Sequence, residues 1–195
     1  MTIGTAIRTL GGLLLGLGLM ASCQASEWGI DPLLAAIAAG VQEELGFVEE
    51  RHDALLGVPL RSEGRLQYRA PDYLAKYIEQ GGSGSFVLQG DTLRATRRGS
   101  EHELELDSHP ALRALAVALR ASLGGDRAAL EQYFVLSLTG TPAAWQLRLQ
   151  PHEAAVERVM SRMQLDGQGG QLQQITIHER SGNHSVMSLR YPDDD

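Results

Sequence analysis

Six histidines, His52, His102, His109, His152, His178 and His184, are the side chains of this 195-residue protein best suited to acid–base or metal chemistry. A helical zinc or catalytic site asks for two histidines at i, i+4 with a carboxylate between them, and no pair here has that spacing on a predicted helix. Glu101-His102-Glu103 offers candidate ligands in a row. Alternate residues of a strand point to opposite faces, however, so His102 cannot share a face with both neighbours, and the run reads as solvated charge. Gly81-Gly82-Ser83-Gly84-Ser85 leads into a strand, not a helix, and lacks the Lys-Ser or Lys-Thr of a phosphate cradle; it also lacks the register of a nucleophile elbow. Neither a catalytic residue nor a metal or cofactor ligand set is expected.

The elements that would position any site are strands and two clear helices. Asp31 and Pro32 read as the cap and first-turn proline of an amphipathic helix of about four turns, with Leu34, Ile37, Ala38, Val41 and Leu45 at helical spacing and an end near Gly46. Pro110 to Leu123 is the second helix: Leu112, Leu115, Ala116, Leu119 and Leu123 form one stripe, and Gly124-Gly125 stops it. Asp126 can cap a shorter helix through Gln132. Strands are read at Phe47–Arg51, Arg65–Arg69, Phe86–Leu88, Leu93–Thr96, His102–Leu106, Tyr133–Leu138, Trp145–Leu149, Met163–Leu165, Leu172–His178 and Ser185–Tyr191. Gly90-Asp91 tolerates the positive φ of a hairpin turn. Pro151 to Val159 reads as a short helical excursion. The order helix, strands, helices, strands predicts an α+β protein: an antiparallel sheet with helices on one face.

Charge and composition narrow the partners. The formal net charge is −7, Lys76 is the only lysine and the arginines are scattered; without a basic stripe, nucleic acid is not an expected partner. Met1 to Gln24 has a weakly basic start at Arg8, a short glycine-rich apolar run and then small residues, the layout of a secretory signal peptide. Cys23 is the only cysteine, so no internal disulfide forms. Met20-Ala21-Ser22-Cys23 approximates a bacterial lipobox, which makes Cys23 a candidate for lipidation. Two cleavage sites fit, before Cys23 or after Ala25, so residues 1–25 are assigned to the leader and 26–195 to one domain. A monomer exported to the periplasm is expected, with anchoring to the outer membrane through Cys23 as the alternative.

What remains is apolar patterning. Leu66/Tyr68, Phe86/Leu88, Leu104/Leu106, Phe134/Leu136/Leu138, Trp145/Leu147/Leu149, Ile175/Ile177 and Met187/Leu189 can line one side of a curved sheet. Two structures are compatible with that: a solid core against the helices, or a cavity for which the helices act as a lid.

The chain resembles the LolA family of periplasmic carriers that take lipoproteins to the outer membrane, and in particular its branch near lipid and aryl-polyene biosynthesis genes. The residues that carry the likeness are Phe47-Val48-Glu49-Glu50-Arg51, Pro59 to Leu66, Ala70-Pro71-Asp72-Tyr73-Leu74, Leu88 to Leu93, Gly125 to Leu130 with Phe134, and Trp145 to Pro151. The resemblance implies an incomplete antiparallel β-barrel closed by helices, with a cavity for acyl chains. On that template Phe47, Leu66, Tyr68, Phe86, Leu88, Leu104, Leu106, Phe134, Leu136, Leu138, Leu147, Leu149, Ile175, Ile177, Met187 and Leu189 line the cavity. Leu34, Ile37 and Val41, with Leu112, Leu115 and Leu119, form the lid. It also implies an acylated cargo, a lipoprotein or a lipid, together with an inner-membrane donor and an outer-membrane acceptor, and no catalysis. The chain departs from the R-P-x-x-F-x-W pattern of lipoprotein carriers, whose arginine latches the lid: the matching positions are Ala70, Leu74 and Lys76. Arg69 stands one residue early and is expected to face the other way. An anchored acceptor resembling LolB and an enzyme acting on an apolar substrate are the alternative readings.

Overall fold

The computed structural model describes residues 28–192. The leader, Cys23 and both candidate cleavage sites lie outside the described residues.

Helix α1 (Ile30–Gly40) leads into a meander of β1 (Glu44–His52), β2 (Leu60–Arg69), β3 (Tyr73–Gln80), β4 (Gly84–Gln89), β5 (Thr92–Arg97) and β6 (Ser100–Glu105). A 3-10 turn at Leu106–Ser108, α2 (Pro110–Gly124) and α3 (Arg127–Glu131) connect it to a second meander. That one runs through β7 (Phe134–Thr141), β8 (Ala144–Pro151), the single turn α4 (Ala154–Glu157), β9 (Met160–Gln168), β10 (Gln171–Glu179) and β11 (His184–Arg190). Strand β11 pairs antiparallel with β1, which joins the two meanders into one 11-stranded antiparallel sheet of order β6-β5-β4-β3-β2-β1-β11-β10-β9-β8-β7. The sheet is curved and open, with β6 and β7 as its margins. The incomplete barrel expected from the sequence is present.

Sequence-based boundaries needed correcting at several points. Helix α1 stops at Gly40, one turn early, and Val41 is already extended at φ −65°, ψ 131°; Leu45 belongs to β1, paired with Leu66. The cause is tertiary. Gly40 lies against the backbone of Gly170 in the β9–β10 turn, and the Glu44–Leu45 backbone finds ladder partners in β2 that a longer helix would forfeit. Asp31 is no cap either: it sits in the first turn behind Gly29, where it accepts from Arg127 Nη1 at 2.9 Å. Leu106 leaves β6 for the 3-10 turn and is buried there. The excursion after Pro151 is a single turn, and β9 runs on through Asp166 and Gly167.

Other local signals hold. Gly125 takes the left-handed conformation, φ 77°, that ends α2. Asp126 accepts from the Ala129 amide at 3.0 Å as the cap of α3. Gly90 has φ 56° in the two-residue turn between β4 and β5.

Alternation sets the concave face. Leu45 and Phe47 of β1, Leu66 and Tyr68 of β2, Leu74 of β3, Leu88 of β4, Leu189 of β11, Ile175 of β10, Met163 and Leu165 of β9, and Leu147 and Leu149 of β8 all turn inward and are buried. Against them lie α1, through Leu33, Leu34 and Ile37, and α2. No position of α2 from Ala111 to Leu123 is fully exposed, so this helix is wrapped on every side, as a helix must be when it occupies the hollow of a sheet. Its most deeply buried stripe is small, Ala114, Ala118 and Ala121, and the stripe Leu112, Leu115 and Leu119 is only half-buried against the core. Of the stripe predicted from the sequence, Ala116 and Leu123 are buried and Leu112, Leu115 and Leu119 are half-buried. Small side chains let α2 approach the neighbouring helices closely.

Candidate functional site: an apolar trough on the concave face

Burial changes along the sheet. The row Tyr68–Leu74–Leu88–Leu93–Leu104 follows direct cross-strand pairs from β2 to β6. Tyr68, Leu74 and Leu88 in it are buried, and Leu93 and Leu104 toward the margin are half-buried. Helix α2 is tied to this end. Arg120 Nη1 donates to the carbonyl oxygens of Gly90 at 2.6 Å and Asp72 at 3.1 Å, in the turns between β4 and β5 and between β2 and β3. Arg113 Nη2 pairs with Asp91 at 3.2 Å, and its Nη1 pairs with Asp107. Burial pushes the Tyr68 phenol up, an effect that Arg120 partly offsets.

Two residues further along each strand the cover is gone. Phe86 is 44% exposed although Leu88, on the same face, is 5% exposed. Ile78 on the neighbouring β3, and Met187 and Ile177 farther across the sheet on β11 and β10, are half-buried as well. The pairs Phe86↔Lys76 and Glu49↔Met187, linked by an ion pair between Lys76 and Glu49, carry this half-open band across the middle of the sheet. Leu112, Leu115 and Leu119 of α2 are likewise half-buried against the core, and this half-open, mainly apolar band is the candidate trough.

Burial of the residues on this face is uneven along the sheet. Leu147, Leu149, Met163 and Leu165 are fully buried, a solid core. Phe47, Leu66, Tyr68, Leu88, Phe134, Ile175 and Leu189 are buried as well, in or against that core. Of the residues predicted to line a cavity, Phe86, Leu104, Leu136, Leu138, Ile177 and Met187 retain accessible surface. Two hollows elsewhere on the protein have mixed or polar linings. One, of about 350 Å³, is bounded by Thr139, Trp145, Gln146 and Asp166; the other, of about 180 Å³, by Glu43, Glu44, Gln67 and Arg69.

One polar feature interrupts the trough. Lys76 Nζ lies 2.5 Å from Glu49 Oε2, both side chains are about one-fifth exposed, at 18% and 20%, and the ammonium sits 4.9 Å from the centre of the Phe47 ring. Ser62 Oγ donates to the same carboxylate oxygen at 3.5 Å. Sequence reasoning noted Lys76 as the only lysine and as a departure from a motif, and Glu49 as part of a family-like run, but did not join them as a pair. The signal was the alternation itself, since Glu49 falls in phase with Phe47, and Lys76 with Leu74 and Ile78.

Arg69 is on the convex face, as its register predicted, with its guanidinium 4.1 Å from the Tyr73 ring centre. The arginine that ties helix to strand turns is Arg120, on α2, a role that sequence reading did not assign. The convex face holds one more grouping that single-residue reading missed. His52 and His184 stack at 4.4 Å and His184 and His178 at 5.6 Å, on the adjacent strands β1, β11 and β10. Among the described residues no group of three His, Cys, Asp or Glu side chains is placed to hold a metal ion, and no helix is long and apolar enough to cross a membrane.

An open antiparallel sheet curved around an apolar helix, with a half-covered apolar band beside it, defines a scaffold with a concave, mainly apolar face. The chain belongs to the family described as outer membrane lipoprotein carrier protein LolA-like, whose model matches residues 22–189. Members of that family are carriers. Among solved structures, the chain is similar to a LolA superfamily protein from Nitrosomonas europaea, at 10% identity, covering 82% of this chain and 90% of that one with a TM-score of 0.42. It is also similar to the Mycobacterium tuberculosis lipoprotein LppX, at 12% identity, covering 80% and 92% with a TM-score of 0.39. No curated protein matches.

Proposed function

We propose that this protein is an exported carrier that shelters acyl chains of a lipoprotein or lipid in the concave trough and passes them toward the outer membrane, with no bond made or broken. The observation that carries the reading is the change of burial along one face: Leu88 is 5% exposed, Phe86, two residues earlier on the same strand, is 44% exposed, and Ile78, Met187 and Ile177 keep accessible surface on that face. A packed core has no use for that opening. Moving an acyl chain of roughly fifteen methylenes through water costs on the order of ten kcal/mol at about 0.8 kcal/mol per methylene, so a carrier must cover it and still release it. A helix held over one end of the trough by a few hydrogen bonds can do both.

Purification from a periplasm, followed by lipid extraction and native mass spectrometry, tests this reading. A co-purifying acylated molecule is the expected result. A reproducibly empty protein that also fails to bind a fluorescent fatty acid would end it. Cys23 favours a second reading, in which the same domain is an anchored acceptor at the outer membrane. Fractionation of cells expressing Cys23→Ser distinguishes the two: an anchored protein becomes soluble, and a soluble carrier stays where it was.

A further inference from the structure

The ion pair Lys76–Glu49 stands where an acyl carrier needs only carbon. It bridges β3 and β1 across the middle of the trough, with Leu66 and Phe86 as the cross-strand partners of Lys76 and Met187 as a partner of Glu49. It is the chain's only lysine.

Such a pair is a poor floor for a bare hydrocarbon. An ammonium has three donors and a carboxylate accepts at both oxygens; Glu49 takes one of the lysine donors. An alkyl chain laid over the pair would strip water from the remaining donors and lone pairs and return nothing. A ligand that puts an acceptor at that point restores what the water gave. The pair is also neutral as a unit, so a carboxylate brought to Lys76 would meet the charge of Glu49 at close range, whereas an uncharged carbonyl would not.

Resting on the acyl-carrier reading, we propose that Lys76, held and neutralised by Glu49, is the head-group subsite of the trough: it donates to the carbonyl oxygen of an acyl ester or amide whose hydrocarbon chain lies along Phe86 and Ile78, the apolar neighbours of Lys76 on β4 and β3. The subsite selects uncharged acyl heads over free fatty acids and fixes which end of the ligand meets the middle of the sheet.

The test is displacement of the fluorescent probe N-phenylnaphthylamine from the full chain by methyl laurate, lauric acid and dodecane. Methyl laurate is expected to bind at least about tenfold more tightly than dodecane, the effect of one hydrogen bond from a charged donor, and more tightly than lauric acid. In the double variant Glu49→Gln/Lys76→Met, which leaves no charge unpaired, the ester and the alkane should converge, with dodecane binding more tightly than to the unaltered protein. In Glu49→Gln alone, which frees the ammonium, the preference should move toward lauric acid. An ester-to-alkane ratio that survives the double variant overturns the subsite and leaves the carrier standing. Failure of all three ligands to displace the probe from the unaltered protein overturns both. Circular dichroism and thermal melts of each variant separate lost selectivity from lost fold.

Discussion

Arg120 and Gly90 are joined by a 2.6 Å hydrogen bond from a guanidinium on the helix to a backbone carbonyl in a strand turn, and the same nitrogen reaches Asp72. The bond acts on main chain, so it holds whatever side chains the two turns carry. Substituting Arg120→Gln is expected to cost about 1.5–3 kcal/mol, the usual worth of hydrogen bonds from a charged donor. It should also speed hydrogen exchange of the α2 amides more than those of β8 and β9, and shorten the residence time of a bound acyl probe. Equal acceleration across the whole sheet would show that Arg120 props the fold in general and is no latch.

The two ends of the concave face should respond differently to truncation. Leu147 is fully buried, and Leu147→Ala is expected to destabilise by about 2–5 kcal/mol. Leu115 is half-buried on α2, so Leu115→Ala should cost only about 1 kcal/mol. Leu115→Asp should weaken acyl binding at temperatures where the sheet stays folded. Denaturant melts alongside probe titrations read both quantities.

Glycine at position 64 is required by a close approach. A Cβ there would collide with the Tyr77 carbonyl, at the irregularity where β2 and β3 slip register between Glu63 and Gly64. Gly64→Ala should therefore destabilise by about 1–3 kcal/mol. Its partners on the two neighbouring strands are Phe47 and Ile78, each two residues from a member of the Glu49–Lys76 pair, so the shift should also change the selectivity among acyl heads.

The stacked histidines give a pH dependence with a definite sign. Burial, the neighbouring Arg162 and His184 hold His178 below its ordinary value of 6.5, and Arg162 Nη2 lies 3.1 Å from its Nε2. Glu50, facing His52 at 4.0 Å, is the acidic group at the far end of the stack. A histidine depressed in the folded state binds fewer protons there than in the unfolded chain. Stability is then complete above about pH 6.5 and falls as the pH drops from there toward the folded value, below which it levels off. His178→Gln should flatten that slope in melts recorded across the window.

Much of the fold was legible because its signals are local. Period-two alternation placed Leu66/Tyr68 and Leu147/Leu149 on a buried face, and Gly90, Gly125 and Asp126 marked turn, stop and cap by their own chemistry. Where sequence reading failed, a distant partner decided. Gly40 ends α1 because Gly170 is there, and Leu106 leaves its strand to fill a site under the start of α2. The trough was half legible. Its apolar residues follow from alternation, but whether α2 covers Leu88 or Phe86 depends on where Arg120 finds carbonyls, in turns 30 and 48 positions away along the chain. Glu49 and Lys76 were visible as residues and invisible as a pair, since β2 lies between them.

The two margins of the open sheet are chemically unlike. Strand β6 presents Glu101, Glu103 and Glu105 along its length, charge that discourages another strand from lying beside it, whereas β7, Phe134–Thr141, carries no charge and leaves Val135 60% exposed. Curvature without closure thus leaves the molecule with one guarded border and one bare one. Crowding would make it adhesive in a single direction, and self-association would begin along β7.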